Sequence, residues 1–95
     1  MAERLSDKEI DKALSTLPGW SRDGEEMRKQ YTFPDFLGSI AFVNSVADLA
    51  EAANHHPDIT INYNRVSLAL TSHDSGGLTE HDVSLASQIE RAALG

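Results

Sequence analysis

Residues 59–70, Ile-Thr-Ile-Asn-Tyr-Asn-Arg-Val-Ser-Leu-Ala-Leu, carry the pattern that decides the fold. Apolar and polar side chains alternate along both halves of this segment, which is the period of a strand with one buried face. Only Asn64 and Arg65 separate the two halves. The pattern therefore predicts two strands that are joined by a tight hairpin and paired antiparallel.

A second pair of strands is predicted earlier in the chain. Trp20 opens a short strand that ends at Asp23 and Gly24, a dipeptide that favours a tight turn. The return strand runs from Glu26 to Phe33 and places three large apolar side chains on one face: Met27, Tyr31 and Phe33.

Capping signals predict the first and the last helix. Ser6 and Glu9 form a capping box that starts a helix ending at about Leu14. Thr79, with Asp82 in place of the usual glutamate three residues later, starts a similar helix near the end of the chain.

The middle helix lies between the two hairpins. Pro34 suits its first position, and the helix must end by about His56, because a residue that precedes proline avoids helical backbone. Its predicted buried stripe has spacings of three and four: Phe36, Ile40, Val43, Ala47 and Ala50.

The order of these elements predicts an α+β fold (α-β-β-α-β-β-α), with a four-stranded antiparallel sheet and three helices packed on one face. We expect residues 1–95 to form a single domain, because the chain is long enough for only one core. The uncovered face of the sheet favours association into an oligomer.

Composition argues against several classes of function. The formal net charge of −7 disfavours binding to nucleic acid and docking on an anionic membrane. The lack of cysteine rules out disulfides and thiolate metal sites. No segment approaches the roughly 18 apolar residues of a membrane span, and the N-terminus has no signal-peptide pattern. We therefore expect a cytoplasmic protein.

Histidines and carboxylates form the main chemical pattern of the chain. Glu51 and His55 are four residues apart and share one face at the end of the middle helix, with His56 directly after them. His73 follows the second hairpin, and Asp82 lies in the last helix. Because histidine changes charge between about pH 5 and 8, this cluster indicates proton-transfer chemistry.

A zinc site is the main chemical alternative, because three histidines and a carboxylate can bind zinc. The spacing disfavours it, since neighbouring residues rarely chelate one ion and no His-x-x-x-His pair is present. Nucleophilic catalysis is disfavoured by the lack of cysteine and of a Gly-x-Ser-x-Gly elbow. We expect acid–base chemistry without a metal.

Three further residues have plainer interpretations. Tyr63 is expected to be a packed strand aromatic, and His81 a solvated residue of the last helix. Trp20 is either part of the core or a flat wall for a planar ligand.

Together these segments resemble pterin-4a-carbinolamine dehydratases. The resemblance is carried by Glu51-Ala-Ala-Asn-His55-His56-Pro57, by Thr71-Ser72-His73 and by Gly77-Leu78-Thr79 up to Asp82, and it covers most of the chain. Three positions depart from the pattern. Asp58-Ile59 replaces the glutamate and aromatic residue that are common after His-His-Pro, and His81 stands where lysine or arginine is common.

The resemblance implies dehydration of a 4a-hydroxytetrahydropterin to the quinonoid dihydropterin, without a cofactor, in pterin recycling for aromatic amino acid hydroxylases. It also implies a homodimer or homotetramer. The implied site consists of three histidines and three supporting side chains: His55, His56, His73, Glu51, Asp82 and Trp20. We assign acid–base roles to His55 and His73, with His56 mainly holding the pterin. The sequence does not decide which of the two is the acid, or whether one imidazole does both.

Two other functions stay open from the resemblance. Some animal members bind a homeodomain transcription factor as dimerisation cofactors, so the chain could act as a binding protein. A relative could also serve a different pterin, such as one of molybdenum cofactor metabolism. Partner capture and an assay with several pterins distinguish these functions.

Overall fold

The structure is a computed structural model that describes residues 3–94. It confirms the predicted α+β order and the four-stranded antiparallel sheet. The helices and strands are α1 (Asp7–Leu14), β1 (Ser21–Asp23), β2 (Glu26–Thr32), α2 (Phe36–Ala53), β3 (Asp58–Asn62), β4 (Arg65–Leu70) and α3 (Glu80–Leu94). A short 3-10 turn, His73–Ser75, lies between β4 and α3.

The sheet has the strand order β1-β2-β4-β3. Met27 pairs with Leu70 and Tyr31 with Val66, so the large apolar side chains of the two central strands share one face. This face carries the core, to which the helices contribute Ile10, Phe42, Val46, Leu85, Ala86 and Ile89. Each large side chain buried there stabilises the fold by about 1.5–3 kcal/mol.

The two terminal helices begin as predicted. In α1, Ser6 accepts a hydrogen bond from the backbone N–H of Glu9, whose side chain accepts one from the backbone N–H of Ser6. In α3, the carboxylate of Asp82 accepts a hydrogen bond from the backbone N–H of Thr79, at 2.9 Å. Both capping interactions are local, which explains why sequence alone located these helix starts.

Helix α2 begins two residues later than predicted and ends within the predicted limit of His56. It begins at Phe36 and not at Pro34, because Asp35 is the N-cap and accepts a hydrogen bond from the backbone N–H of Gly38. It ends at Ala53, because Asn54 adopts a left-handed conformation with a φ of 49°. Asparagine tolerates this backbone better than most residues do.

The predicted buried stripe of α2 is wrong in register. Its buried residues are Ser39, Phe42, Val46 and Ala50, so the prediction and the structure share only Ala50. Apolar residues lie on more than one side of this helix. The register is therefore decided by contact with β4 and α3, and not by the apolar pattern alone.

Helix α2 also has apolar surface that the fold leaves uncovered. It has the length and composition of a membrane span, 18 residues with a mean hydropathy of 1.3, so the prediction that no segment approaches one is wrong. Core helices of soluble proteins pass the same test, but only 22% of α2 is buried. Leu37 on its outer side is 76% exposed.

The turn of the second hairpin is shifted by one residue from the prediction. Asn62 pairs with Arg65, so the two turn residues are Tyr63 and Asn64. Asn64 donates a side-chain hydrogen bond to the Phe33 carbonyl, and its own carbonyl accepts one from the Phe33 backbone N–H. These bonds hold Asn64 in the turn, and Tyr63 is an exposed turn residue rather than a packed strand aromatic.

Candidate active site

Asp82 is the buried centre of the candidate site. Its Oδ2 atom accepts hydrogen bonds from the Thr79 backbone N–H and from the Ser72 hydroxyl, at 2.9 and 2.8 Å. The Ser72 hydroxyl also lies 2.9 Å from that of Thr79. A fully buried carboxylate requires such partners, since an unpaired buried charge is strongly destabilising. These bonds orient Asp82 and leave Oδ1 for another group.

His55 contacts the other carboxylate oxygen of Asp82, Oδ1. Its Nε2 atom lies 2.5 Å from Asp82 Oδ1, and its side chain is 17% exposed. An ionised carboxylate can only accept, so Nε2 carries the proton and Nδ1 is left for a different partner. The contact with Asp82 fixes the orientation of the ring, and His55 also lines a cavity.

His56 pairs with Glu51, although the sequence analysis paired Glu51 with His55. The Nε2 atom of His56 lies 2.5 Å from Glu51 Oε2, and both side chains are largely exposed. The pairing differs because α2 ends at Ala53 and the left-handed Asn54 redirects the chain. The shared helical face expected for Glu51 and His55 therefore does not exist. An exposed pair of this kind contributes at most about 1 kcal/mol.

A cavity of about 280 Å³ lies beside His55. Ser72 and Asp74 line it, as does His81 from the first turn of α3. The ring centroids of His55 and His81 are 6.1 Å apart. The sequence analysis left His81 out of the site, although its position directly before Asp82 was a usable signal.

Of the six predicted site residues only His55 lines this cavity, and His73 and Trp20 lie outside both it and the two imidazole–carboxylate pairs. His73 is an exposed residue that begins the 3-10 turn, where it adjoins Ser72 and so the Asp82 cluster. Trp20 is buried in the core, and its indole N–H donates to Glu90. The roles that the resemblance implies for His73 and Trp20 stay predictions.

Glu90 forms a second cluster, which the sequence analysis missed. Its Oε1 atom accepts hydrogen bonds from the Trp20 indole at 3.2 Å, from the Lys29 ammonium at 2.5 Å and from the Tyr31 hydroxyl. Lys29 also donates to the Pro18 carbonyl, at 2.7 Å. No motif could reveal this cluster, because Glu90 lies 59 to 70 positions from these three side chains along the chain.

The electrostatics of the Glu90 cluster are set by burial and by Lys29. Burial by itself raises the pKa of Glu90, but hydrogen bonds from Lys29 and Tyr31 and the charge of Lys29 outweigh it and hold the pKa below the usual value. Burial, together with the neighbouring carboxylate, raises the pKa of Tyr31. Glu90 is therefore ionised and Tyr31 protonated at neutral pH.

The described residues do not form a metal site. Across residues 3–94, no three His, Asp or Glu side chains come together in a way that could hold a metal ion. The contacts of the described site are hydrogen bonds between imidazoles, carboxylates and hydroxyls.

The chain is similar to known sequences of a single protein family. Residues 3–92 match the family described as pterin 4 alpha carbinolamine dehydratase. A relative from Thermosynechococcus vestitus is 52% identical over 94 residues, which cover 99% of each chain. One from Roseiflexus is 57% identical over 90 residues, covering 95% of this chain and 97% of the relative. Both relatives are named as candidate pterin-4-alpha-carbinolamine dehydratases.

Solved structures agree with this family. A transcriptional coactivator/pterin dehydratase from Brucella melitensis superposes with a TM-score of 0.92 at 33% identity, covering 96% of this chain and 99% of that one. A pterin dehydratase-like RuBisCO assembly factor of the alpha-carboxysome has a TM-score of 0.68 at 23% identity, over 79% and 89% of the two chains, and shows the shared fold alone. With near-complete coverage and about half of its residues identical to those relatives, the chain belongs to the pterin-4a-carbinolamine dehydratase family.

Proposed function

We propose that this protein dehydrates a 4a-hydroxytetrahydropterin to the quinonoid dihydropterin by histidine acid–base catalysis. Membership of the family supports the reaction. The observation that supports the mechanism is the contact between His55 and the buried Asp82, beside a cavity. That cavity, of about 280 Å³, is near the lower end of the range for ligand sites, which suits one small bicyclic ring.

The reaction needs one proton donor and one proton acceptor. The bond from C4a to the hydroxyl oxygen breaks, and the hydroxyl leaves as water after it takes a proton from the acid. The base removes the proton on N5, so that a double bond forms between N5 and C4a. In this proposal His55 is the acid, because it lines the cavity and Asp82 fixes the orientation of its ring, and His73 is the base.

The other predicted residues support binding rather than chemistry in this proposal. His56, held by Glu51, contacts the pterin at the exposed side of the site. Trp20 supports the site indirectly from the core through Glu90. The reaction needs no bound cofactor, because no electrons are exchanged with another molecule.

We place the activity in cytoplasmic pterin recycling, linked to an aromatic amino acid hydroxylase. The chemistry supports this place, since hydroxylation by a tetrahydropterin leaves the 4a-hydroxy form, which must lose water before it can be reduced again. Purified protein should therefore raise the steady-state rate of such a hydroxylase in a coupled assay when a dihydropterin reductase is present.

We further propose that the chain is one domain that assembles as a homodimer or homotetramer. Support comes from apolar residues that one copy leaves exposed on α2 and on the edge strand β3: Phe36, Leu37, Ile59 and Ile61. Sedimentation should give a mass of two or four chains. The change Leu37→Glu should lower that mass, whereas Lys8→Glu on α1 should not.

Turnover of a 4a-hydroxytetrahydropterin tests the main proposal. The parent protein should accelerate formation of the quinonoid product above the spontaneous rate. His55→Ala and His73→Ala should each lower kcat by about 10²–10⁴-fold, as expected for a general acid or base. Lys8→Ala, an exposed change on α1, is the control. Unchanged rates in both histidine variants would refute the assigned mechanism.

A binding function is the second candidate, because the similar structure from Brucella melitensis carries the words transcriptional coactivator in its description. The apolar side of α2 would be the surface for such a partner. A protein without dehydratase activity that forms a stable complex with a helical partner would favour this function. If the protein acts only on another pterin, such as one of molybdenum cofactor metabolism, the dehydratase function stands and the proposed substrate is wrong.

A further inference from the structure

His81 has the position of a second titratable group in the cavity. It lies in the first turn of α3, and its ring centroid is 6.1 Å from that of His55, with the ring planes inclined at 44°. Both residues line the same cavity. Within residues 3–94, no hydrogen bond or ion pair holds the exposed His81 side chain. Its side chain is therefore exposed to solvent and borders the cavity.

The proposed reaction creates a need for such a group. Each dehydration leaves the acid without its proton and the base with an additional one. The net proton change is zero, so the enzyme returns to its starting state only when the acid is protonated again. His55 is only 17% exposed, and Asp82 occupies its Nε2 atom. Proton exchange with solvent is therefore limited to its remaining nitrogen.

The charges around His81 suit it to carry a proton to His55. Asp74 faces the cavity from the 3-10 turn, and Glu80 and Asp82 flank His81 along α3. The negative field of these carboxylates attracts a proton that enters from solvent toward the space between the two rings.

We propose that His81 is a proton-relay residue that reprotonates His55 from solvent between turnovers. The inference rests on the proposed dehydratase function. In each cycle a protonated His81 gives its proton to neutral His55, directly or across one bridging water, and takes a new one from solvent or buffer. Only a proton moves. His81 acts through His55 and needs no contact with the pterin.

The change His81→Gln tests this relay, because it keeps a polar side chain that does not titrate. At low buffer concentration kcat should fall by about tenfold, less than for a direct acid because water still carries some protons. KM should not change. Added imidazole should restore kcat in the variant and have little effect on the parent, after subtraction of the spontaneous and buffer-catalysed rate. Arg91→Gln, an exposed residue in the last turn of the same helix and outside the cavity lining, is the matched control and should behave as the parent.

The possible outcomes separate the relay from other roles. A fall in kcat that imidazole reverses supports the relay. An unchanged kcat, a change in KM alone, or a fall that imidazole does not reverse would each overturn it and leave the dehydratase assignment standing. A parent protein that accelerates no dehydration would overturn the proposed function and the relay together.

Discussion

Two carboxylates of α3 have different partners: Asp82, fully buried in the first turn, and Glu90, partly buried two turns later. Each is bonded by three other residues. Glu90 accepts all of its bonds on one oxygen, and Lys29 neutralises its charge. Asp82 divides its bonds between two oxygens. Among residues 3–94, the one partner of Asp82 that can carry a positive charge is His55.

The two carboxylates therefore differ in what surrounds their contacts. The ion pair between Lys29 and Glu90 ties α3 to β2. His55 contacts Asp82 and lines a cavity. The Glu90 cluster thus joins two elements of the fold, whereas the Asp82 cluster borders the cavity at which we propose that proton transfer takes place.

The largest expected effect is on catalysis, from Asp82→Asn. The amide can still accept from Ser72 and Thr79, but it would donate to His55 and favour the wrong tautomer of the ring. We expect kcat to fall by about 10²-fold or more. Steady-state kinetics of the folded variant measure this. A fall of less than threefold would show that the contact with His55 is structural only.

The matching change, Glu90→Gln, should act on stability instead. It leaves the Lys29 ammonium, 16% exposed, without its charged partner. We expect the free energy of unfolding to fall by about 2–3 kcal/mol, with kcat of the folded protein unchanged. Denaturant unfolding at neutral pH measures the free energy of unfolding. A loss of activity without loss of stability would contradict the distinction between the clusters.

The pH dependence of stability tests the role of Glu90 further. Because the pKa of Glu90 is lowered in the folded state, its ionised form contributes stability above the ordinary value of about 4.5, and this contribution is lost as pH falls through the lowered pKa. The stability difference between the parent and Glu90→Gln should therefore shrink between neutral pH and about pH 3. Unfolding curves across that range test it, and a difference that is independent of pH would contradict it.

The smallest expected effect comes from Ser72→Ala. This change removes one hydrogen bond to Asp82 and keeps those from Thr79 and His55. We expect a loss of about 1 kcal/mol in unfolding free energy, and only a small decrease in kcat. Ser45→Ala, an exposed change on α2, is the control. A larger effect on kcat than that of Asp82→Asn would reverse the order of importance proposed for the site.

Local patterns were enough to predict much of this protein. The alternation in residues 59–70 predicted the hairpin, and the capping residues Ser6 and Thr79 predicted two helix starts, because both signals act between residues close in the chain. The spacing of His55, His56, His73 and Asp82 led to the correct family before any comparison.

Contacts between distant segments decided the features that the sequence did not predict. The left-handed Asn54 directs His55 to Asp82, 27 positions away, and returns His56 to Glu51, so the pairings within the site depend on one residue's backbone. The register of α2 and the Glu90 cluster likewise depend on which surfaces meet. By itself the sequence determined the elements and the kinds of residues in the site, since these follow from short-range patterns. Only the tertiary structure decided their partners, because hydrogen bonds and packing depend on distance in space.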